Sequence, residues 1–316
     1  MTLLYSSPTF QEHLTGSHPE HPRRLAAVDA RLEQSGLAAR CRRPQWQPAT
    51  LQQLARVHDP QYVQQIEQFA AAGGGRIEVD TVVSERSYEV ARLAAGAACD
   101  AVQRVALGED SLALCLVRPP GHHARPRDPM GFCLFNSVAV AAAAALAEHQ
   151  LDRVLVVDWD VHHGNATQEM FWESGRVGFF SIHRWPFYPG TGDADETGAG
   201  RGLGWIANEP VNFGTPREVY HDRFERALAQ LAAKVRPQLV LISAGFDAHR
   251  EDPVGSLDLE VEDFTRLTQT VLGVAREHAG GRVVSLLEGG YNPARLAESV
   301  EAHLTELLAS DAAATA

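Results

Sequence analysis

The sequence lacks what would make a disulfide-stapled, membrane-spanning or nucleic-acid-binding protein. Its four cysteines, Cys41, Cys99, Cys115 and Cys133, include no CxxC pair and form no dense framework, so they read as reduced, mostly buried thiols of an intracellular protein. The N-terminal MTLLYSSPTFQEHL has neither a basic stretch nor a sustained apolar one, which argues against a signal peptide. The most apolar run, Val138 to Ala147 (VAVAAAAALA), is about half the length that spans a bilayer and reads as a buried, alanine-rich helix. Positive charge is scarce: the net charge is −12 and the pI about 5.6. That balance argues against nucleic-acid partners and is compatible with cationic substrates; with so short an apolar run, no membrane partner is expected either. No 20- to 50-residue period and no Ser/Pro/Gly linker divides the chain. The expectation is a cytoplasmic protein whose oligomeric state the sequence leaves open.

What is present is ample core material, 45% hydrophobic over 316 residues. One domain over residues 1–308 is expected, with a flexible tail at 309–316 (ASDAAATA) and a loop at the triple glycine Gly73 to Gly75. Short apolar runs recur: Leu112–Val117, Arg153–Asp158, Val177–Ile182, Gln238–Ser243 and Arg282–Leu287. Uninterrupted apolarity is what strands covered on both faces show. Segments such as Thr215–Lys234 and Leu259–His278 repeat apolar residues near helical spacing, each with a capping-type residue or a proline near its start. Alternating strands and helices predict a single-domain, three-layer α/β/α fold around a central, mostly parallel sheet.

Each of those runs is followed by polar chemistry. After LALCLV comes RPPGHHA, after RVLVV comes DWDVHHGN, after VGFFS comes IHRWPFYPGTG, after QLVLIS comes AGFDAH, and after RVVSLL comes EGGY. In open α/β sheets ligands bind beyond the carboxyl ends of the strands. Five strand ends carrying His, Asp, Tyr or glycine-rich turns make a site.

In an extended backbone alternate side chains share a face, so Asp158, Asp160 and His162 should point one way. Asp160 and His162 offer a carboxylate oxygen and an imidazole nitrogen to a metal. Read singly, the aspartates could cap the following helix and His162 could be a satisfied loop histidine; three on one face favour a metal. A catalytic zinc needs a third protein ligand. Asp247 leads, because Gly245 lets the chain turn there, though alone it reads equally as a helix cap. Of the adjacent His122 and His123, one can face substrate as a base near neutral pH while the other supports it. Tyr291 could offer a neutral O–H to an oxyanion, or be a core tyrosine with a satisfied hydroxyl.

RPPGHHA, GFCLFN, DWDVHHGN, FYPGTGD, GFDAHREDPVG and LEGGY, in this order, resemble the zinc-dependent histone deacetylase family of the arginase–deacetylase fold. The variant is similar to class II enzymes and their bacterial relatives, which include acetylpolyamine amidohydrolases. SHPEHPRRL and VHDPQYV match too, so the resemblance spans nearly the whole chain. It implies one zinc on Asp160, His162 and Asp247, with His123 as general base. His122 would assist, bonded to Asp158, while Asn165 would back His123 and Tyr291 would donate to the oxyanion. Phe132 and Tyr188 match the walls of a narrow acyl-lysine channel, and Gly131 the carbonyl that accepts from the bound amide chain. Structural potassium is implied at Asp158, Asp160, His162, Ser181 and Ile182, and a second ion at Phe171, Ser174 and Val177. Three positions depart from the pattern: Ala166 for Gly, Ser137 for Asn and His21 for Arg. At Ala166 the backbone must avoid positive φ or accept strain.

The implied reaction is hydrolysis of an acetamide to acetate and a primary amine. The substrate is acetyl-lysine in proteins, an acetylpolyamine or another small amide. Where one eukaryotic polyamine-selective relative carries Glu, this chain has Val254, which tilts toward lysine side chains; Asp80 aligns near the rim and tilts the other way. An arginase-like manganese ureohydrolase would need a carboxylate where Gly164 stands, and a non-catalytic acyl-lysine reader would be expected to have lost at least one of these residues.

Overall fold

The computed structural model describes residues 2–314, with side chains described through Asp311. Its strands are β1 (Leu3–Tyr5), β2 (Gly75–Arg76), β3 (Val82–Val83), β4 (Leu112–Cys115), β5 (Val154–Asp158), β6 (Val177–Arg184), β7 (Ile206–Val211), β8 (Leu239–Ala244) and β9 (Val283–Leu287). The helices are α1 (Arg23–Gln34), α2 (Leu51–Leu54), α3 (Pro60–Ala71), α4 (Ser87–Ala106), α5 (Ser137–Glu148), α6 (Asn165–Phe171), α7 (Arg217–Val235), α8 (Val261–His278) and α9 (Pro293–Ala314). Seven strands form one sheet in the order β1-β4-β9-β8-β5-β6-β7, with every pairing parallel. The short β2–β3 pair is antiparallel and separate.

The five central runs become β4, β5, β6, β8 and β9, and each is buried along its length apart from the last residue of β6. Helices α4 and α5 pack on one face; α7, α8 and α9 cover the other, with α1 against α9. The expected three-layer fold is therefore the observed one. The Ala-rich run forms α5, nearly all of it buried, because methyl side chains let the helix lie close to β5 and β8. Among the described residues no helix is long and apolar enough to cross a membrane. Residues 309–314 continue α9, since alanine is the strongest helix former, and 315–316 lie outside the described residues. Helix α7 opens as expected on a proline, Pro216, which takes the capping position without a side-chain cap. Two edge strands, β1 and β7, escaped the apolar pattern: β1 is only three residues long, and β7 alternates in burial.

The sheet order places the ends of β4 and β5 on either side of β9 and β8, so four site-bearing loops converge above the middle of the sheet. Beneath them lies a buried ionic network. Glu20 accepts from Arg118 Nε at 2.5 Å and Nη2 at 2.7 Å, and from Arg24 Nη1 at 3.0 Å, and all three side chains are fully buried. Burial opposes the charge on Glu20, but Arg118, His13 and Arg24 hold its carboxyl well below the usual range. Its contribution is thus complete above the unfolded glutamate value of about 4.3 and fades only in strongly acid solution. Glu20→Ala leaves two guanidinium groups buried without their partner. It should cost about 3–5 kcal/mol in reversible urea unfolding at neutral pH, whereas Arg31→Ala, at an exposed ion pair, should cost under about 1 kcal/mol.

Candidate active site

Strand β5 stops at Asp158, so the pleat does not align the acidic residues beyond it. Instead the chain turns twice on its own carboxylates. Asp158 Oδ1 accepts from the Asp160 N–H at 3.0 Å, and Asp160 Oδ1 accepts from the His162 N–H at 2.9 Å. These turns aim Asp158 at His122 and bring Asp160 and His162 to Asp247, which stands beyond β8. Ligand atoms of Asp160, His162 and Asp247 lie within 4.8 Å of one another, all three residues buried, and no other group of three or more His, Cys, Asp and Glu converges this way among the described residues.

The donor set suits a divalent cation. His162 Nδ1 is 3.0 Å from Asp160 Oδ1 and 3.2 Å from Asp247 Oδ2, yet Asp247 Oδ2 is buried with no hydrogen-bond partner. The remaining oxygens are held by backbone: Gly289 N–H donates to Asp160 Oδ2 at 2.8 Å and Val161 N–H to Asp247 Oδ1 at 3.0 Å. Burial, reinforced by Asp160, raises Asp247 to about 7. Burial would also raise Asp160, but His122 and His162 pull it well below the usual carboxylate range. Burial resists the charge on His162, but Asp160 and Asp247 lift it to about 9, a proton that a bound cation would replace.

Gly245 serves a different purpose from the one its sequence position suggested. It has no positive φ; a Cβ there would lie 2.2 Å from Asp160 Oδ2, so the glycine makes room for the carboxylate. Gly289, just beyond β9, does the same for Asp247, since a Cβ there would stand 2.1 Å from Asp247 Oδ2. At Gly164 a Cβ would meet Asp158 Oδ2 at 2.2 Å, which leaves no space for the extra carboxylate of a binuclear site. Ala166 lies within α6 and carries no strain.

The adjacent histidines differ because their partners differ. His122 Nδ1 donates to Asp158 Oδ2 at 2.9 Å. Burial disfavours its charge, but Asp158 and Asp160 overcome this and raise it to about 10. His123 Nδ1 donates to the amide oxygen of Asn165 at 2.6 Å, leaving Nε2 as the acceptor. Burial, together with the positive His122 and His162, holds His123 well below the usual histidine value, so it is neutral. His123, not His122, lines the channel above the cluster.

That channel encloses about 220 Å³ and is lined by Asp80, His123, Gly131, Phe132, His162, Phe187, Tyr188, Val254 and Tyr291. Gly131 and Phe132 both have positive φ, +56° and +70°. The glycine is needed, since a Cβ would meet His123 Cδ2 at 2.4 Å. Phe132 is held in its unfavourable conformation by Asp80 and Thr81: Asp80 Oδ1 accepts from the Gly131 N–H at 3.2 Å, and Thr81 Oγ1 from the Phe132 N–H at 3.1 Å. His18 packs edge-on against Phe132 at 4.4 Å and bonds the Asp80 carbonyl at 3.0 Å. Tyr291 follows Gly290, at φ +120°, and its buried hydroxyl is raised well above the usual tyrosine value.

Of the residues suggested for potassium, Asp158 and Ser181 are register partners on β5 and β6, and Ile182 follows on β6. Phe171, Ser174 and Val177 share one tight turn: Ser174 N–H donates to the Phe171 carbonyl at 2.9 Å and Val177 N–H to Ser174 Oγ at 3.1 Å.

Four residues around the site escaped the sequence reading. Phe187 stacks on His162 at 5.3 Å, although the motif FYPGTGD contained it. Glu288 accepts from the N–H groups of Gly121 and His122 at 2.6 and 3.2 Å, tying the histidine loop to the end of β9. Burial raises it to about 7 against the pull of His122. Arg24 donates to the carbonyls of Gly290, at 2.6 Å, and Glu288, and lies 4.9 Å over the Tyr291 ring. Asp252 accepts from four backbone N–H groups, including that of Tyr291. HPRRL and LEGGY flagged Arg24 and Glu288 by motif, but nothing local says whom a side chain meets more than 160 positions away.

A buried Asp-His-Asp cluster, a neutral imidazole and a phenol around one channel are the parts that metal-assisted hydrolysis needs. The comparisons name its kind. Residues 18–307 match the Histone deacetylase domain family. The chain is 39% identical over 285 residues to a histone deacetylase-like amidohydrolase of Pseudomonas aeruginosa, covering 90% of this chain and 75% of that one. It is 42% identical over 294 residues to the human polyamine deacetylase HDAC10, covering 89% of this chain and 43% of that one. The crystal structure of the HDA15 HD domain superposes with a TM-score of 0.91 at 36% identity, over 98% of this chain and 90% of that one. The chain belongs to the histone deacetylase family and is a hydrolase of amide bonds. Because Gly245 and Asp160 compete for one space, Gly245→Ala should lower metal affinity about 10- to 100-fold while far-UV circular dichroism stays native. Metal per chain after dialysis against a graded chelator checks this.

Proposed function

We propose that the chain is a zinc-dependent deacetylase that removes acetyl groups from lysine side chains of proteins, or from similar acylated amines. The reading is carried by one observation: His162 of the metal-type cluster, the neutral His123 and Tyr291 line one channel of about 220 Å³. Asp160, His162 and Asp247 would hold the zinc. Such an ion supplies Lewis-acid polarisation of a carbonyl and allows water to act as a nucleophile at neutral pH. His123, neutral and with Nε2 free to accept, takes a proton from the attacking water. It then returns that proton to the departing amine. His122, positively charged and fixed on Asp158, stabilises negative charge developing nearby, and Asn165 keeps the His123 tautomer and ring plane. Tyr291 donates its hydroxyl to the carbonyl oxygen as that oxygen gains charge.

Phe132 and Tyr188 grip the aliphatic part of the substrate, and the Gly131 carbonyl accepts from its amide chain. Two readings of the substrate remain, each with its own support. Val254 makes one lip of the channel apolar and favours a peptide-borne acetyl-lysine. The Asp80 carboxylate, which also lines the channel, and the 42% identity to a protein named a polyamine deacetylase, favour an acetylpolyamine. The same proposal includes structural potassium beside β5 and β6 and in the turn from α6 to β6. It also includes a cytoplasmic setting, supported by four free thiols.

Tyr291→Phe should lower kcat by about 100- to 1,000-fold with zinc content unchanged; near-normal turnover would sink the assignment. Chelation should abolish release of acetate, and zinc should restore it, with one tightly bound metal per chain by elemental analysis. Two tightly bound manganese ions would point to ureohydrolase chemistry instead. Parallel kinetics on an acetyl-lysine peptide and on acetylputrescine decide between the substrate readings, the larger kcat/KM identifying the class.

A further inference from the structure

Asp252 is buried and touches neither the channel nor the metal-type cluster. Its carboxylate nevertheless joins two parts of the site. Oδ1 accepts from the N–H groups of Val254 and Gly255, both at 2.9 Å. Oδ2 accepts from the N–H of Tyr291 at 2.6 Å and of Asn292 at 3.3 Å. Two oxygens therefore satisfy four donors, which only an ionised carboxylate can do at this spot. The same loop is tied to Asp247, whose carbonyl accepts from the Ser256 N–H at 2.7 Å. The chain before Tyr291 has little rigidity of its own, because Gly290, at φ +120°, sits in a region that only glycine adopts freely. Phe132 meets the Tyr291 ring edge-on at 5.5 Å and Arg24 lies over it. These contacts set the tilt of the ring, Arg24 also holds the Gly290 carbonyl, and the N–H of Tyr291 itself is anchored by Asp252.

We propose that Asp252 is a positioning residue for the amide hydrolysis: it fixes the Tyr291 backbone, and so the reach of the phenolic hydroxyl, and links that tyrosine to the channel lip at Val254. The inference rests on the reading of Tyr291 as the oxyanion donor. Asparagine keeps the shape of Asp252 but turns an NH2 group toward one pair of N–H donors, so D252N breaks one half of the clamp.

The test is a double-mutant cycle on the zinc-loaded enzyme, with D252N alone and combined with Tyr291→Phe, using an acetyl-lysine amide that releases a fluorophore. D252N alone should lower kcat about 30- to 100-fold, as displacement of a reacting group by about 1 Å does, with KM within about threefold and zinc per chain unchanged. In the Tyr291→Phe background the same change should cost about threefold or less, since residues acting through one group are not additive. D252S, which retains a single acceptor, is run in the same cycle in case D252N folds poorly. Equal losses in both backgrounds would overturn the inference and leave the role of Tyr291 standing. Loss of fold or of zinc in both Asp252 variants would make the residue structural and overturn it as well. A Tyr291→Phe enzyme with normal turnover would overturn the reading on which the inference rests.

Discussion

Everything in this molecule's chemistry depends on compensating negative charge buried at one point of the sheet. Asp158, Asp160, Asp247 and Glu288 are all at most 1% exposed. Isolated carboxylates in such surroundings lose hydration worth several kcal/mol each. The response is visible in their proton affinities, with Asp158 lifted to about 6 and Asp247 and Glu288 to about 7, burial being the main cause in each case. His122 and His162 supply part of the missing positive charge. Asp160, His162 and Asp247 could hold a divalent cation, which would supply the rest and give the buried Asp247 Oδ2 the partner it otherwise lacks.

The same charge balance divides labour between two histidines whose rings stand 4.0 Å apart. His122 rests on a carboxylate and keeps its proton. His123 rests on the neutral amide of Asn165, with a cation on either side, and gives its proton up. A neutral imidazole and a fixed positive charge thus arise from two identical side chains adjacent in sequence, because the partner of each Nδ1 and the charges around each ring differ. Glycine is as necessary here as charge, because Gly245, Gly289 and Gly164 each leave room for a carboxylate that a methyl group would displace.

The surrounding frame is built to hold these loops at fixed separation. Glu288 fastens the histidine loop to β9, Arg24 fastens the turn before Tyr291, and Asp252 fastens Tyr291 to the channel lip. Arg24 is held in turn by Glu20, which also binds Arg118. Buried ion pairs of this kind add little net stability over a well-packed apolar core, and their value lies in fixing geometry. The family match over residues 18–307 begins at His18, the ring that braces Phe132 and Asp80, so the frame and the channel belong to one unit.

The sequence by itself determined the layered α/β fold, because short, β-rich apolar runs alternating with segments of helical spacing point to interior strands, and it placed the chemistry at their carboxyl ends. Asp160, His162, Asp247, His122, His123 and Tyr291 were legible as candidates because each sits in a short polar stretch directly after such a run. The ordered motifs supplied their roles by resemblance. Edge strands β1 and β7 were hidden, since one is too short and the other too mixed to carry a periodic signal. Only the tertiary structure decided that Gly245 makes space and not a turn, that Asp252 and Glu288 grip backbone from distant loops, and that residues 309–314 extend a helix. The physical reason is the same in each case. A strand or helix announces itself through neighbours along the chain, whereas a carboxylate's partner, or a glycine's missing methyl, is defined by atoms that only folding brings near.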